Sequence, residues 1–169
     1  MDNASTPDPR RWRALFVIAI SQLMVVLDAS IVNIALPHAQ SALHILDANR
    51  QWVVTAYTLT FGGFLLLGGR IADFVGRKRT FLIALGGFAA ASLLGGLAWN
   101  QGALFGARAL QGVFGALLAP AALSLVSVTF TDAKERAKAF AVYGALSGVG
   151  AAIGLIVGGL LTQYTTWRW

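Results

Sequence analysis

Five stretches of this chain are long enough, apolar enough and poor enough in charge to cross a lipid bilayer, and that closes off most soluble folds. A helix needs about 20 apolar residues to traverse about 30 Å of hydrocarbon. Such runs lie at residues 14–36, 52–72, 81–99, 103–128 and 139–164. Inside lipid, every backbone N–H and C=O must be paired within its own segment or in a closed barrel. Runs of this length therefore predict helices, and the chain is predicted to be an all-α, multi-span transmembrane bundle over residues 14–169. Composition agrees: 57% of the 169 residues are hydrophobic and 12% charged, about half the charged share of a soluble domain.

The connectors are short and polar. Residues 1–13 read as a tail, 38–51 as a polar loop with a short helix, 76–80 as a tight basic turn, 100–102 as a brief turn and 131–138 as a charged turn. Of thirteen Lys and Arg residues, ten fall on one side of the membrane, two (Arg50 and Arg168) on the other, and Arg108 lies within a span. Positive charge is retained on the cytoplasmic side. The split predicts a cytoplasmic N-terminus and a multi-pass protein of the cell membrane. It also accounts for the net charge of +6: anionic lipid headgroups are the expected partners of these side chains, and nucleic acid is not. Trp12, Trp52, Trp99, Trp167 and Trp169 all fall near predicted span ends, as an interfacial aromatic belt does. An Asn3-Ala4-Ser5 sequon would face the cytoplasm and is read as chance. There is no cysteine and only His38 and His44, both placed in the outer loop, so neither a metal site nor a cofactor is expected.

Two charges lie within the spans. Asp28 falls near the middle of the first, where an aspartate costs about 2.5–3.5 kcal/mol on insertion scales. It must face a bundle interior or a watery cavity. Two readings stand: a carboxylate that binds protons or cations, or a structural carboxylate held by a neighbouring helix. Ser21 precedes it by two turns on the same face, and Gln22 and Asn33 form a polar strip beside it that is expected to line a cavity. Arg108 lies in the outer half of the fourth span. It either holds a carboxylate or carbonyls across a cavity or snorkels to the interface. Gln111, Gly112, Gly115 and Ala119 share its face, which favours an inward-facing surface and places Gln111 in the cavity lining. In the fifth span Gly150, Gly154 and Gly158 repeat every four residues. Missing side chains at this spacing let another helix approach closely, as fixed packing or as a sliding seam.

Three strings go beyond general physics: Leu27–Pro37 (LDASIVNIALP), Gly69–Arg79 (GRIADFVGRKR) and Arg108–Gly112 (RALQG). In order and position they resemble the signature motifs of the major facilitator superfamily. The first string, together with the closing Trp167–Trp169, resembles its fourteen-span drug/proton antiporter branch. The resemblance implies proton-coupled efflux of small amphipathic molecules, with protons exchanging at Asp28 and Arg108 tuning that site. It also implies a conformational latch built on Gly69, Asp73, Gly76 and Arg77. In that latch Gly69 permits close helix approach, Gly76 makes the turn, and Asp73 accepts from the start of a neighbouring helix. Arg77 is expected to pair with Asp132 or Glu135. The chain departs from the family pattern at Ile71, Phe74 and Leu155, the last replacing the proline of a glycine-rich antiporter motif. The family builds each half from three-helix repeats. The expected organisation is thus an incomplete N-terminal half-bundle that needs the C-terminal portion of the transporter and does not transport alone. Readings kept beside this one are a transporter of another small metabolite, a truncated membrane subunit, and an intramembrane hydrolase around Ser147, which lacks a histidine in a later span.

Overall fold

The computed structural model describes residues 10–168; the Asn3 sequon and Trp169 lie outside them. Five long helices follow one another: α1 (Arg11–Ala42), α2 (Trp52–Val75), α3 (Arg77–Gly96), α4 (Gln101–Thr129) and α5 (Ala133–Tyr164), with a short 3-10 turn at Asp47–Asn49. All five are long and apolar enough to cross a membrane.

Four of the helices run past the apolar stretches that reveal them; α3 starts early, at Arg77, and stops at Gly96, short of Trp99. α1 begins at Arg11, within the stretch expected to be a tail, and continues through Pro37 to Ala42. His38 is therefore helical rather than part of a loop. Polar helix ends are invisible to hydropathy but obey capping rules. The Asn100 side chain accepts from Ala103 N at 2.8 Å to start α4. Asp132 accepts from Glu135 N at 2.9 Å to start α5. Each satisfies one of the N–H groups a helix start leaves unpaired. The turn between α2 and α3 is a single residue, Gly76, at φ +100°, a backbone region that side-chain-bearing residues rarely adopt.

Packing divides the helices into two groups. α4 lies against both α2 and α3, while α1 packs mainly on α5. At the end carrying the α2–α3 turn, Leu15, Ile18, Phe81, Val126 and Phe130 form one apolar core. At the opposite end Leu36, Ile45, Val53 and Leu104 form another. The polar layer between them is the site described below.

Close approach in both seams depends on glycine. Between α1 and α5, a Cβ on Gly150, Gly154 or Gly158 would lie 3.0, 2.6 and 3.0 Å from Leu23, Ser30 and Ile31. Gly144, Gly148 and Gly159 of the same helix would meet nothing within 4 Å. The four-residue spacing thus marks the face that meets α1. Gly154→Ala is expected to destabilise the protein by about 1–3 kcal/mol through overpacking. Gly148→Ala should be neutral or stabilising because alanine is the better helix former. Thermal unfolding of both variants in detergent checks the contrast. Between α2 and α4, a Cβ on Gly68 would sit 2.2 Å from the Ala116 carbonyl oxygen, whereas one on Gly69 would meet only Pro120 at 3.9 Å. The tight approach expected at Gly69 is made by Gly68, because that residue faces α4.

Candidate functional site

Asp28 and Arg108 meet. Arg108 Nη1 donates to Asp28 Oδ2 at 2.6 Å, with 4% of the arginine side chain and 15% of the aspartate side chain exposed. Arg108 therefore turns inward instead of snorkelling. Its Nε donates to the Val53 carbonyl at 3.1 Å, and its guanidinium carbon lies 4.6 Å from the centre of the Tyr57 ring. Gln111 completes the ring of contacts. Its Oε1 accepts from Arg108 Nη1 at 2.8 Å, and its Nε2 donates to Asp28 Oδ1 at 2.8 Å and to Ser92 Oγ at 2.6 Å. The carboxylate has a partner on each oxygen, and α1, α2, α3 and α4 all contribute to one polar layer.

The local sequence explains why the layer closes. Gly112 has no side chain, so the Tyr57 carbonyl and Thr60 Oγ1 of α2 occupy the space its Cβ would take. Thr60 Oγ1 lies 2.9 Å from the Ala109 carbonyl. α2 is thereby drawn against α4 where Val53 and Tyr57 can hold the guanidinium. Charge-assisted hydrogen bonds are stronger than neutral ones, and a charge taken out of water is tolerated only when paired and fully bonded.

Two cavities flank this layer. One, of about 190 Å³, is lined by Asp28, Arg108, Gln111 and Ser92 and reaches Trp167 and Arg168. The other, of about 180 Å³, is lined by Ser21, Gln22, Tyr57, Phe61 and Tyr143 among others. Gln22 links α1 to α5: its Nε2 donates to Ser147 Oγ at 3.1 Å and its Oε1 accepts from Tyr143 Oη at 2.6 Å. Ser147 is thus engaged as an acceptor. Asn33 lines neither cavity. It is exposed, and its side chain donates to the Ala29 carbonyl of its own helix at 2.7 Å. Gln22 and Asn33, read as one strip, are eleven residues apart, and the structure separates their surroundings.

The α2–α3 turn is arranged differently from expectation. Arg77 lies 4.0 Å from Asp73, and both are well exposed. Glu135 instead accepts from Arg11 Nη2 at 2.7 Å, and Asp132 caps α5. The reason is topological: α5 packs on α1, so its first turn meets the first turn of α1 rather than the start of α3.

Sequence reasoning missed Ser92 and Tyr57. Ser92 is a hydroxyl in an otherwise apolar span, and Tyr57 lies four residues after Val53, one helical turn on. Both signals were present but weak without knowledge of which helices pair.

Five apolar helices, four of which meet at a largely buried ion pair and its polar partners, are the core of a polytopic membrane protein. The chain belongs to the Major Facilitator Superfamily, whose family model matches residues 18–169. It is 63% identical over 163 residues to the puromycin resistance protein pur8 of Streptomyces alboniger, covering 96% of this chain and 32% of that protein. It is 41% identical over 155 residues to the cephamycin export protein CmcT of Amycolatopsis lactamdurans, covering 92% and 32%. It is 39% identical over 158 residues to the multidrug efflux pump LfrA of Mycolicibacterium smegmatis, covering 94% and 31%. The chain spans about a third of the length of these curated relatives.

Proposed function

We propose that this chain supplies five membrane helices of a proton-coupled exporter of small amphipathic molecules. The exporter would lie in the cell membrane with the N-terminus in the cytoplasm. The observation that carries the reading is the Asp28–Arg108–Gln111 layer, a titratable carboxylate held at mid-helix beside a cavity. Relatives named for puromycin resistance, cephamycin export and multidrug efflux support efflux as the activity and antibiotic-like molecules as the substrates. The ten-to-two distribution of Lys and Arg supports the orientation.

The chemistry is proton binding and release, with no covalent step. A proton arriving on Asp28 removes the negative charge that Arg108 faces and weakens the contact between α1 and α4. Arg108 keeps its other partners, Val53 and the Tyr57 ring, so protonation frees α1 without unseating the arginine. Loss of the proton restores the pair. A two-state element biased in this way can couple proton flow to the rocking of one half-bundle against another. The rest of the transporter would provide the far wall of the substrate path. The turn formed by Gly69, Asp73, Gly76 and Arg77 would serve as a cytoplasmic latch between conformations, with Asp73 and Arg77 exposed and free to change partners.

The test is Asp28→Asn in the complete transporter. Drug efflux driven by an imposed pH gradient in proteoliposomes is expected to fall to the leak rate of empty vesicles, while the protein still folds and inserts. Asp28→Glu, which retains the carboxyl group, is expected to keep part of the activity. Full proton-driven efflux by Asp28→Asn would remove Asp28 from the mechanism.

A further inference from the structure

Two residues that follow α5 line the cavity in front of Asp28. Trp167 and Arg168 line it together with Asp28, Arg108, Gly95 and Gly96. Trp167 also packs on the apolar core of that end of the bundle. Arg168 Nη1 donates to the Gly96 carbonyl at 2.8 Å and to the Ala98 carbonyl at 2.7 Å. These carbonyls lie where α3 ends, among groups with no partner further along the helix, and the negative end of the helix dipole attracts a guanidinium there. The same guanidinium lies 4.6 Å over the Trp167 ring, which fixes the ring by a cation–π contact. The seat itself requires glycine: a Cβ on Gly96 would sit 2.7 Å from the Arg168 carbonyl oxygen.

We propose that Arg168 clasps the end of α3 and so holds Trp167 as a lid over the outer mouth of the cavity leading to Asp28. The fold makes the clasp a bridge. α5 packs mainly on α1 and α3 on α4, so a bond from the segment after α5 to the end of α3 joins the two helix groups across the cavity opening. The arginine is exposed, and hydrogen bonds made in competition with water contribute modestly to stability. The clasp can therefore open while the buried layer beneath it stays intact. Its opening would admit outside water to Asp28, which makes Arg168 a positioning residue for proton access. The inference rests on the orientation proposed above, with the N-terminus inside.

Because the chain contains no cysteine, a single one can report access. In the complete transporter on a cysteine-free background, Val32→Cys places a thiol in the cavity wall. A membrane-impermeant thiol reagent added from outside is expected to label it slowly. Labelling should be faster by roughly tenfold or more in Arg168→Ala, which loses two hydrogen bonds, and faster also in Trp167→Ala. Arg168→Lys, which keeps a donor and the charge, should stay nearer the parent rate. Val126→Cys, on a residue buried in the apolar core at the other end of the bundle, reports general loosening, and His44→Cys reports orientation. Unchanged Val32→Cys labelling in both Arg168→Ala and Trp167→Ala would overturn the lid. So would parent labelling as fast as at His44→Cys, or a parallel rise at Val126→Cys. Labelling of His44→Cys only from the cytoplasmic face would instead overturn the orientation, and the lid with it. None of these outcomes depends on whether Asp28 carries the coupled proton, which the efflux assay decides separately.

Discussion

Arg108→Gln is expected to cost the protein about 3–5 kcal/mol of stability, the usual penalty for removing one partner of a buried ion pair. Glutamine is shorter and neutral, so the Asp28 carboxylate would be left with Gln111 as its only partner in the layer. Asp28→Asn should cost less. The guanidinium left behind still donates to Val53 and Gln111 and lies over the Tyr57 ring. The double variant Asp28→Asn/Arg108→Gln should be more stable than Arg108→Gln alone, because no uncompensated carboxylate remains. Thermal unfolding of the four proteins in one detergent gives the coupling. Contacting pairs in a shared network depart from additivity by about 0.5–3 kcal/mol. Strict additivity would mean that the two charges do not act as a pair. In the complete transporter, the proton-driven efflux proposed above should be absent from all three variants, so stability and coupling would separate in the double variant.

What was legible in the sequence follows from what lipid does and does not demand. The five helices were legible because a span must be apolar along its whole length. Their pairing was not, because in lipid the packed face and the lipid face are equally apolar. Exposed leucines such as Leu66 and buried ones such as Leu118 look alike in a hydropathy plot. Small residues break the tie. Gly150, Gly154 and Gly158 declared a seam by their spacing, yet nothing in their pattern named α1 as the partner. The adjacent Gly68 and Gly69 could not be told apart until α4 was in place. The same gap hid the Arg11–Glu135 pair: the expected contact between Arg77 and the start of α5 assumed that neighbours along the chain meet in space.

The site was half legible for a related reason. Asp28 and Arg108 stood out as charges where a charge is expensive, and Gln111 followed one turn after Arg108. The partners that cost nothing to place, the Val53 carbonyl and the Tyr57 ring, carried no signal of their own. Asn33 gave a weaker one. An amide in a span can satisfy itself on its own helix, as this one does on Ala29, and then it says nothing about a cavity. The difference lies in charge: an amide can be neutralised locally, whereas a carboxylate and a guanidinium at this depth require each other.

Gly112→Ala is expected to be among the most damaging single-methyl additions in the chain. The new Cβ would lie 2.0 Å from Thr60 Oγ1, 2.3 Å from the Tyr57 carbonyl oxygen and 3.0 Å from Phe61 N. Two of these atoms are backbone, so relief requires α2 to move as a whole. Overpacking typically costs about 1–3 kcal/mol, and this position should fall at or beyond the upper limit. Gly68→Ala, aimed at the Ala116 carbonyl, should behave alike, whereas Gly62→Ala and Gly63→Ala on the same helix meet nothing within 4 Å and should be tolerated. Displacing α2 also carries Val53 and Tyr57 away from Arg108, so Gly112→Ala should impair the proposed proton coupling of the complete transporter as well as folding. Folded yield and melting temperature in detergent, compared across the four alanine variants, decide the matter; equal values would mean that the α2–α4 seam is slack. Thr60→Ala added to Gly112→Ala should restore little, because it removes the hydroxyl and leaves the Tyr57 carbonyl in place, and it is the backbone that sets how closely these two helices can lie.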